Sequence, residues 1–242
     1  MENKQKKGNK STKKYLPTIS WISEWENVGR ASDESRYTAM RKRIQSALRV
    51  EKLDDVVRYR RIRATANMGV VSQVIAERIR KSNIVIVDLS TKENENLWKA
   101  GKSNIGDEFR KSLNANVVWE FGMSYAFLLE RKSRLERNAG AEKETRNVDA
   151  DVPRVRSIYV LFRQEQKEHS CCGKPDLHRQ LPTDFLGFYL NTYKIGSKKV
   201  KDKTKTKEVE VSMNFDDTRS FSAMLREDIR EAKREMDSLS KL

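Results

Sequence analysis

Cysteine is almost absent from this chain: there are two, side by side, at Cys171 and Cys172. Neighbouring cysteines cannot tie distant parts of a fold together, so a disulfide framework is excluded and a reducing compartment is indicated. Histidine is equally scarce. His169 and His178 flank the two thiols, and these four side chains are enough in number for a zinc ion. Adjacent cysteines seldom both ligate one tetrahedral ion, however, and no CxxC pair is present, so the segment reads as a polar loop and no metal is expected. Long apolar runs are missing too. Nothing approaches the roughly 18–20 uninterrupted apolar residues of a membrane-spanning helix, and the opening MENKQKKGNKSTKK has no apolar core of a secretory signal. The expectation is a soluble, cytoplasmic protein with no membrane partner, long enough at 242 residues for one generous domain.

What the chain has in excess is positive charge, a formal +15. Residues 1–14 hold six lysines against Glu2, and residues 198–207 (KKVKDKTKTK) hold six against Asp202. Each segment is net +5, which leaves +5 for all the other residues. The excess therefore reads as a flexible basic tail (1–14) and a lysine-rich loop (197–207), solvated and weakly attractive to polyanions. These are the expected contacts for a nucleic-acid or ribonucleoprotein partner. No zinc-finger spacing, helix-turn-helix signature or aromatic RNP-type strand accompanies them, so charge alone does not define function.

The order of elements is more informative. Residues 16–23 (LPTISWIS) have strand composition, with Pro17 at the start where a missing donor is tolerated. After a polar connection through Gly29 and Ser32–Ser35, residues 37–50 place Met40, Ile44, Ala47 and Leu48 at helical spacing. A short strand is expected at 56–62 and a second helix at 70–80, with Val70, Val71, Val74, Ile75 and Ile79 as its apolar stripe. Residues 84–89 (IVIVDL) are continuous and β-branched, as in a parallel strand buried on both faces. A charge-rich insertion (91–112) leads to a helix containing Glu120, and residues 131–156 read as an exposed excursion. Residues 158–162 form another buried strand. Residues 189–195 and 208–213 pair as a hairpin around the lysine-rich loop, and 220–239 closes as a helix. Strands alternating with helices predict one α/β domain over 15–242, built on an open, mostly parallel Rossmann/flavodoxin-like sheet flanked by helices.

Ligands of such sheets bind beyond the carboxyl ends of the strands. Two acids belong at that edge. Asp88 closes the IVIV run, where a carboxylate is costly unless it enters a polar cleft or bonds the amides of the next loop. Glu120 sits among Val117, Val118, Trp119, Phe121 and Phe127, on a helix that must be largely buried. With Asn116 as N-cap, Glu120 falls one residue past the capping-box slot, where an acid also complements the helix dipole. Gly122, Ser124 and Ala126 thin the helix surface and allow close approach of a ligand.

These residues resemble a known pattern. The run Ile79-Arg80-Lys81-Ser82-Asn83-Ile84-Val85-Ile86-Val87-Asp88-Leu89-Ser90, followed by Asn114-Ala115-Asn116-Val117-Val118-Trp119-Glu120-Phe121-Gly122, is similar to the nucleoside 2-deoxyribosyltransferase-like proteins and their TIR-like relatives. Leu181-Pro182-Thr183-Asp184-Phe185, followed by Tyr193, resembles a later family element. The likeness covers roughly residues 16–239. It departs from the family at the long 91–112 segment and at Asn114, where the enzymes often carry an acid. The resemblance implies a glutamate nucleophile, Glu120, that attacks the anomeric carbon of a nucleotide, nucleoside or NAD and is then released by water or another base. Asp88 would bind or protonate the departing base and Asn114 would position a ribose hydroxyl or the base. Ser90 and the amides at the helix start would receive phosphate. Asn116, Gly122 and Trp21 complete the expected substrate contacts, with Tyr15 and Trp25 as further aromatic candidates. No cofactor is implied, since the nucleotide is the substrate. A homo-oligomer is implied, as is a role as effector in bacterial anti-phage defence, restrained by a nucleic-acid-containing partner such as a retron's hybrid. Two other classes compete: a non-catalytic nucleotide sensor on the same fold, and a basic nucleic-acid-binding module whose core is scaffold only.

Overall fold

The run IVIVD buries all five of its residues and becomes a central strand. It is described in a computed structural model that covers residues 16–23, 30–62, 71–90, 114–140, 152–163, 189–202, 205–215 and 218–239. Among these, the order is β1 (Thr18–Ile22), α1 (Arg30–Arg49), β2 (Arg58–Arg61), α2 (Val71–Arg80), β3 (Ile84–Asp88), α3 (Ala115–Gly140), β4 (Ser157–Arg163), β5 (Tyr189–Asp202), β6 (Lys205–Phe215) and α4 (Thr218–Leu239). The six strands form one sheet in the order β2-β1-β3-β4-β5-β6. The first five are parallel and β6 runs antiparallel to β5. This is the open, mostly parallel α/β sheet expected, with the flavodoxin-like order 2-1-3-4-5 and one added edge strand. The order reverses between β1 and β3, so a switch-point crevice belongs at the carboxyl ends of those two strands. No helix among the described residues is long and apolar enough to cross a membrane.

Alternation along the strands divides the core into two layers. Ile19, Trp21, Ile84, Ile86, Tyr159 and Leu161 face α1 and α4, meeting Met40, Ile44, Leu48, Phe221, Leu225 and Ile229. Ile22, Val85, Val87, Ile158 and Val160 face α2 and α3, meeting Ile75, Ile79, Val117, Phe121 and Leu128. Tyr159 packs edge-on against Phe221, ring centroids 5.4 Å apart, and its hydroxyl donates to Asp228.

Four expectations change. Helix α1 begins at Arg30, so Ser32–Ser35 are helical rather than a connection; those turns are polar in sequence, and the apolar period starts only at Tyr37. Val71 of α2 is exposed and lies outside the buried stripe. Helix α3 continues to Gly140, so residues 131–140 are helix rather than an excursion, although Lys132, Ser133, Leu135, Glu136 and Arg137 are exposed as expected. Beyond Phe127 its sequence is rich in Leu, Glu, Lys and Arg, which propagate a helix without apolar periodicity. Arg131 is buried there, donating to Glu235 from both terminal nitrogens at 3.0 and 2.8 Å and to the Pro153 carbonyl. Finally, the lysine-rich loop is mostly strand. Lys198–Lys201 and Lys205–Lys207 belong to the β5–β6 ladder, in register Lys199↔Glu208 and Asp202↔Lys205, with an irregularity at Gly196/Ser197. Only residues 203–204 separate the two strands, and β6 lies against α1.

Candidate functional site

Strand β3 delivers Asp88 to the carboxyl edge, fully buried. Its Oδ1 accepts the backbone N–H of Ser90 at 3.0 Å, closing a tight local turn, while Leu89 N–H continues the ladder to the Leu161 carbonyl at 2.9 Å. Ser90 is buried as well. Asp88 shares the parity of Ile84 and Ile86, which places it on the α1/α4 side of the sheet. Ile22 pairs with Val87, so Ser23, the buried residue after β1, comes level with Asp88 on that same side. Ser23 is a residue that motif reading passes over; the signal for it is its register opposite the acid at the switch point. Trp21 lies one level deeper, beside Ile86 and buried in the core, with its indole Nε1 unpartnered among the described residues.

The second half of the site comes from α3. Asn114, not Asn116, caps this helix: its Oδ1 accepts the N–H of Asn116 at 3.0 Å and of Val117 at 3.4 Å. Either asparagine suits a cap by type, but the helix starts at Ala115. Glu120 is therefore the sixth helical residue, in the second turn, beyond the capping-box slot and beyond the reach of the dipole's first turn. Asn116 stands one turn before it on the same face, exposed at the helix start. Gly122 is exposed on the far side, and a side chain added there would meet nothing within 4 Å. That glycine does not thin the Glu120 face.

Glu120 is only 3% exposed, between Val117 and Phe121, both of which pack on the sheet. Its Oε2 is buried without a hydrogen-bond partner among the described residues. Ser124, one turn on, is fully buried and donates to the Glu120 backbone carbonyl at 2.7 Å. Burial pushes the Glu120 carboxyl up to about 7. The two acids approach the carboxyl edge from opposite layers: Asp88, Ser90 and Ser23 on one side, Glu120 and Asn116 on the other.

Family models, curated proteins and solved structures give no match to this chain. The site is read from its chemistry. A carboxyl near neutrality, in an apolar wall and with one oxygen free, can serve as anion or as acid at physiological pH. No grouping of three or more potential metal ligands occurs among the described residues. Tyr15, Trp25, the 1–14 tail, the 91–112 insertion, His169, Cys171, Cys172, His178 and the 181–185 element lie outside the described residues. Tyr193 is placed in β5, level with Arg163 of β4.

Proposed function

We propose that this chain is an N-glycosidase that cleaves the bond between base and ribose in a nucleotide, nucleoside or NAD, with Glu120 as nucleophile. The observation carrying this reading is the buried Glu120 carboxylate, its Oε2 unpartnered among the described residues, on the apolar sheet-facing side of a helix that starts at the carboxyl edge of the sheet. A structural glutamate in such a place would be bonded; an unbonded one suits a cationic reaction centre. In a water-poor wall, an anion stabilises an oxocarbenium-like transition state far better than it would in solvent. The carboxylate attacks C1′, the C1′–N bond breaks, and the base departs with the electron pair, taking a proton from Asp88 or solvent where it leaves as an anion and none where it leaves neutral, as nicotinamide does. Water then adds at C1′, restoring the carboxylate and releasing the sugar with retained configuration.

Asp88, held in its turn by Ser90, and the neighbouring Ser23 would contact the base or the ribose. Asn114 has a cap to maintain, its Oδ1 already holding the Asn116 and Val117 amides, so its part is to fix the start of α3 beside the site. The wider setting proposed is a cytoplasmic homo-oligomer acting as an anti-phage effector, with a nucleic-acid or ribonucleoprotein partner.

Incubation of the chain with a panel of nucleosides, nucleotides and NAD, followed by chromatography of free base, tests the activity. Base release that Glu120→Gln abolishes is the expected result. Release undiminished in that variant removes Glu120 as nucleophile, and no release from any substrate overturns the enzymatic reading.

A further inference from the structure

The edge strand β2 has the sequence RYRR, and its two faces differ in how their arginines are held. Towards α1, Arg61 lies 5.6 Å from the Tyr37 ring centroid and Arg41 lies 5.5 Å from that of Tyr59, each cation over an aromatic face. Arg58 and Arg60 have the opposite parity. Ile62, two residues beyond Arg60, belongs to the α2/α3 core layer, so Arg58 and Arg60 point to the α2 side. Neither has an ion-pair partner among the described residues. Asp54 pairs with Arg49, Glu77 with Lys81 and Glu51 with Arg226 and Arg230, and among the described residues no ion pair joins Asp55 to either arginine.

Arg78, near the end of α2, adds a third cation. Burial first, and then the charges of Arg58 and Arg78, push the Arg60 guanidinium down from its ordinary range. Arg78 has a local account, since a cation near a helix carboxyl end complements the dipole. Arg58 and Arg60 have none. Charged side chains do protect an edge strand from pairing with other chains, but that needs neither several charges nor a single sign.

We infer that the α2 side of β2 is a binding surface for a nucleic-acid backbone, with Arg58 and Arg60 as its phosphate contacts. Along a strand, alternate residues stand about 6.6 Å apart, so these two cations form a row along the edge strand rather than a cup for one small anion. Guanidinium forks match phosphate oxygens, and the chain's +15 charge draws polyanions towards the row. The surface is separate from the carboxyl-edge site: Arg58 opens β2 at the amino edge, where its N–H bonds the Pro17 carbonyl.

Fluorescence anisotropy of a labelled 20-base-pair DNA duplex against salt, with the full chain, tests the inference. Each lost phosphate contact lowers the log–log salt slope by about 1, so Arg58→Gln/Arg60→Gln is expected to lose about 2, equally for unrelated sequences. Arg58→Lys/Arg60→Lys keeps the charges and is expected to retain the slope, which separates charge from fold. Glu120→Gln is expected to bind as the parent does. The inference is overturned if the glutamine variant keeps the parental slope, or if the parent does not bind. It is also overturned if neutralising the lysines of 1–14 and 198–207 removes all binding. Polyglutamate displacing the duplex more strongly than unlabelled duplex at equal charge would assign the surface to an acidic protein instead. Inorganic phosphate displacing it more strongly than chloride at equal ionic strength would assign it to a small anion.

Discussion

The hydroxyl of Ser124 donates to the backbone carbonyl of Glu120, 2.7 Å away, and so is unavailable to the Glu120 carboxylate. The donor one turn away on the same helix face is engaged by the main chain, and the acid is left buried with Oε2 unbonded. A cost of this kind persists where the group has work to do.

That cost has a pH signature. The rise from the ordinary 4.5 to about 7 corresponds to roughly 3 kcal/mol against the ionised form in the fold. Because the folded value lies above the unfolded one, the full stability is present below about pH 4.5 and is lost progressively as pH rises towards 7. Glu120→Gln should therefore be more stable than the parent by up to about 3 kcal/mol at pH 8, with a much smaller difference at pH 4.5. Urea titrations of both chains at the two pH values measure this; equal differences would mean that Glu120 is not held near neutrality.

The same group governs the proposed activity. If ionised Glu120 attacks C1′, kcat/KM for base release should rise with pH and level off above an apparent value near 7. A rate falling through that range would make Glu120 the acid rather than the nucleophile.

Asp88 combines a turn with a site position, and the two separate by substitution. Asp88→Asn keeps an Oδ1 acceptor for the Ser90 N–H, so its melting temperature should stay within a few degrees of the parent while base release falls. Asp88→Ala removes the acceptor and should cost about 1–3 kcal/mol in addition. Thermal melts run beside the base-release assay distinguish these outcomes.

Which asparagine caps α3 can be decided in solution. Asn114→Ala should lower stability by about 1 kcal/mol, Asn114→Asp should preserve it, and Asn116→Ala should be nearly silent. A larger loss at Asn116 than at Asn114 would return the cap to the position that sequence alone favours.

Much of this architecture is legible in the sequence, for reasons particular residues make plain. The IVIV run has no polar face, so β3 had to be central, and an acid at its end had to reach an edge. Glu120 beside Val117 and Phe121 announces a buried carboxylate, but the expectation of a largely buried helix fails at Val118 and Trp119, which are exposed: an apolar run on a helix covers more than the one face that meets the sheet. What was hidden depends on partners distant in sequence. Asn114 and Asn116 are equivalent as cap types, and only the observed helix start separates them. The lysines of 198–207 suggest a solvated loop by composition; their period of two against KEVEV becomes meaningful only once Lys199 is set opposite Glu208. The parity that puts Asp88 and Glu120 in different layers follows from strand register, which no single segment contains.

Arg131 follows the same logic, and its partner is 104 residues away. Its side chain is 7% exposed and Glu235's is 28%, so removing the carboxylate strands a cation in a poorly hydrated place. Glu235→Gln should cost about 3 kcal/mol, whereas Arg234→Ala, which breaks an exposed pair with Glu227, should cost under about 0.5. Chemical denaturation of the two variants provides the comparison.

This ion pair also sets an order of events during synthesis. The helix that bears Glu120 is made before α4 and carries a cation whose carboxylate follows 104 residues later. Until Glu235 and its neighbour Glu231 emerge, Arg131 and Arg156 have nothing to neutralise them from α4. A nascent chain can thus form its sheet while the lower half of α3 stays unlatched, and that half sets only once α4 has been made.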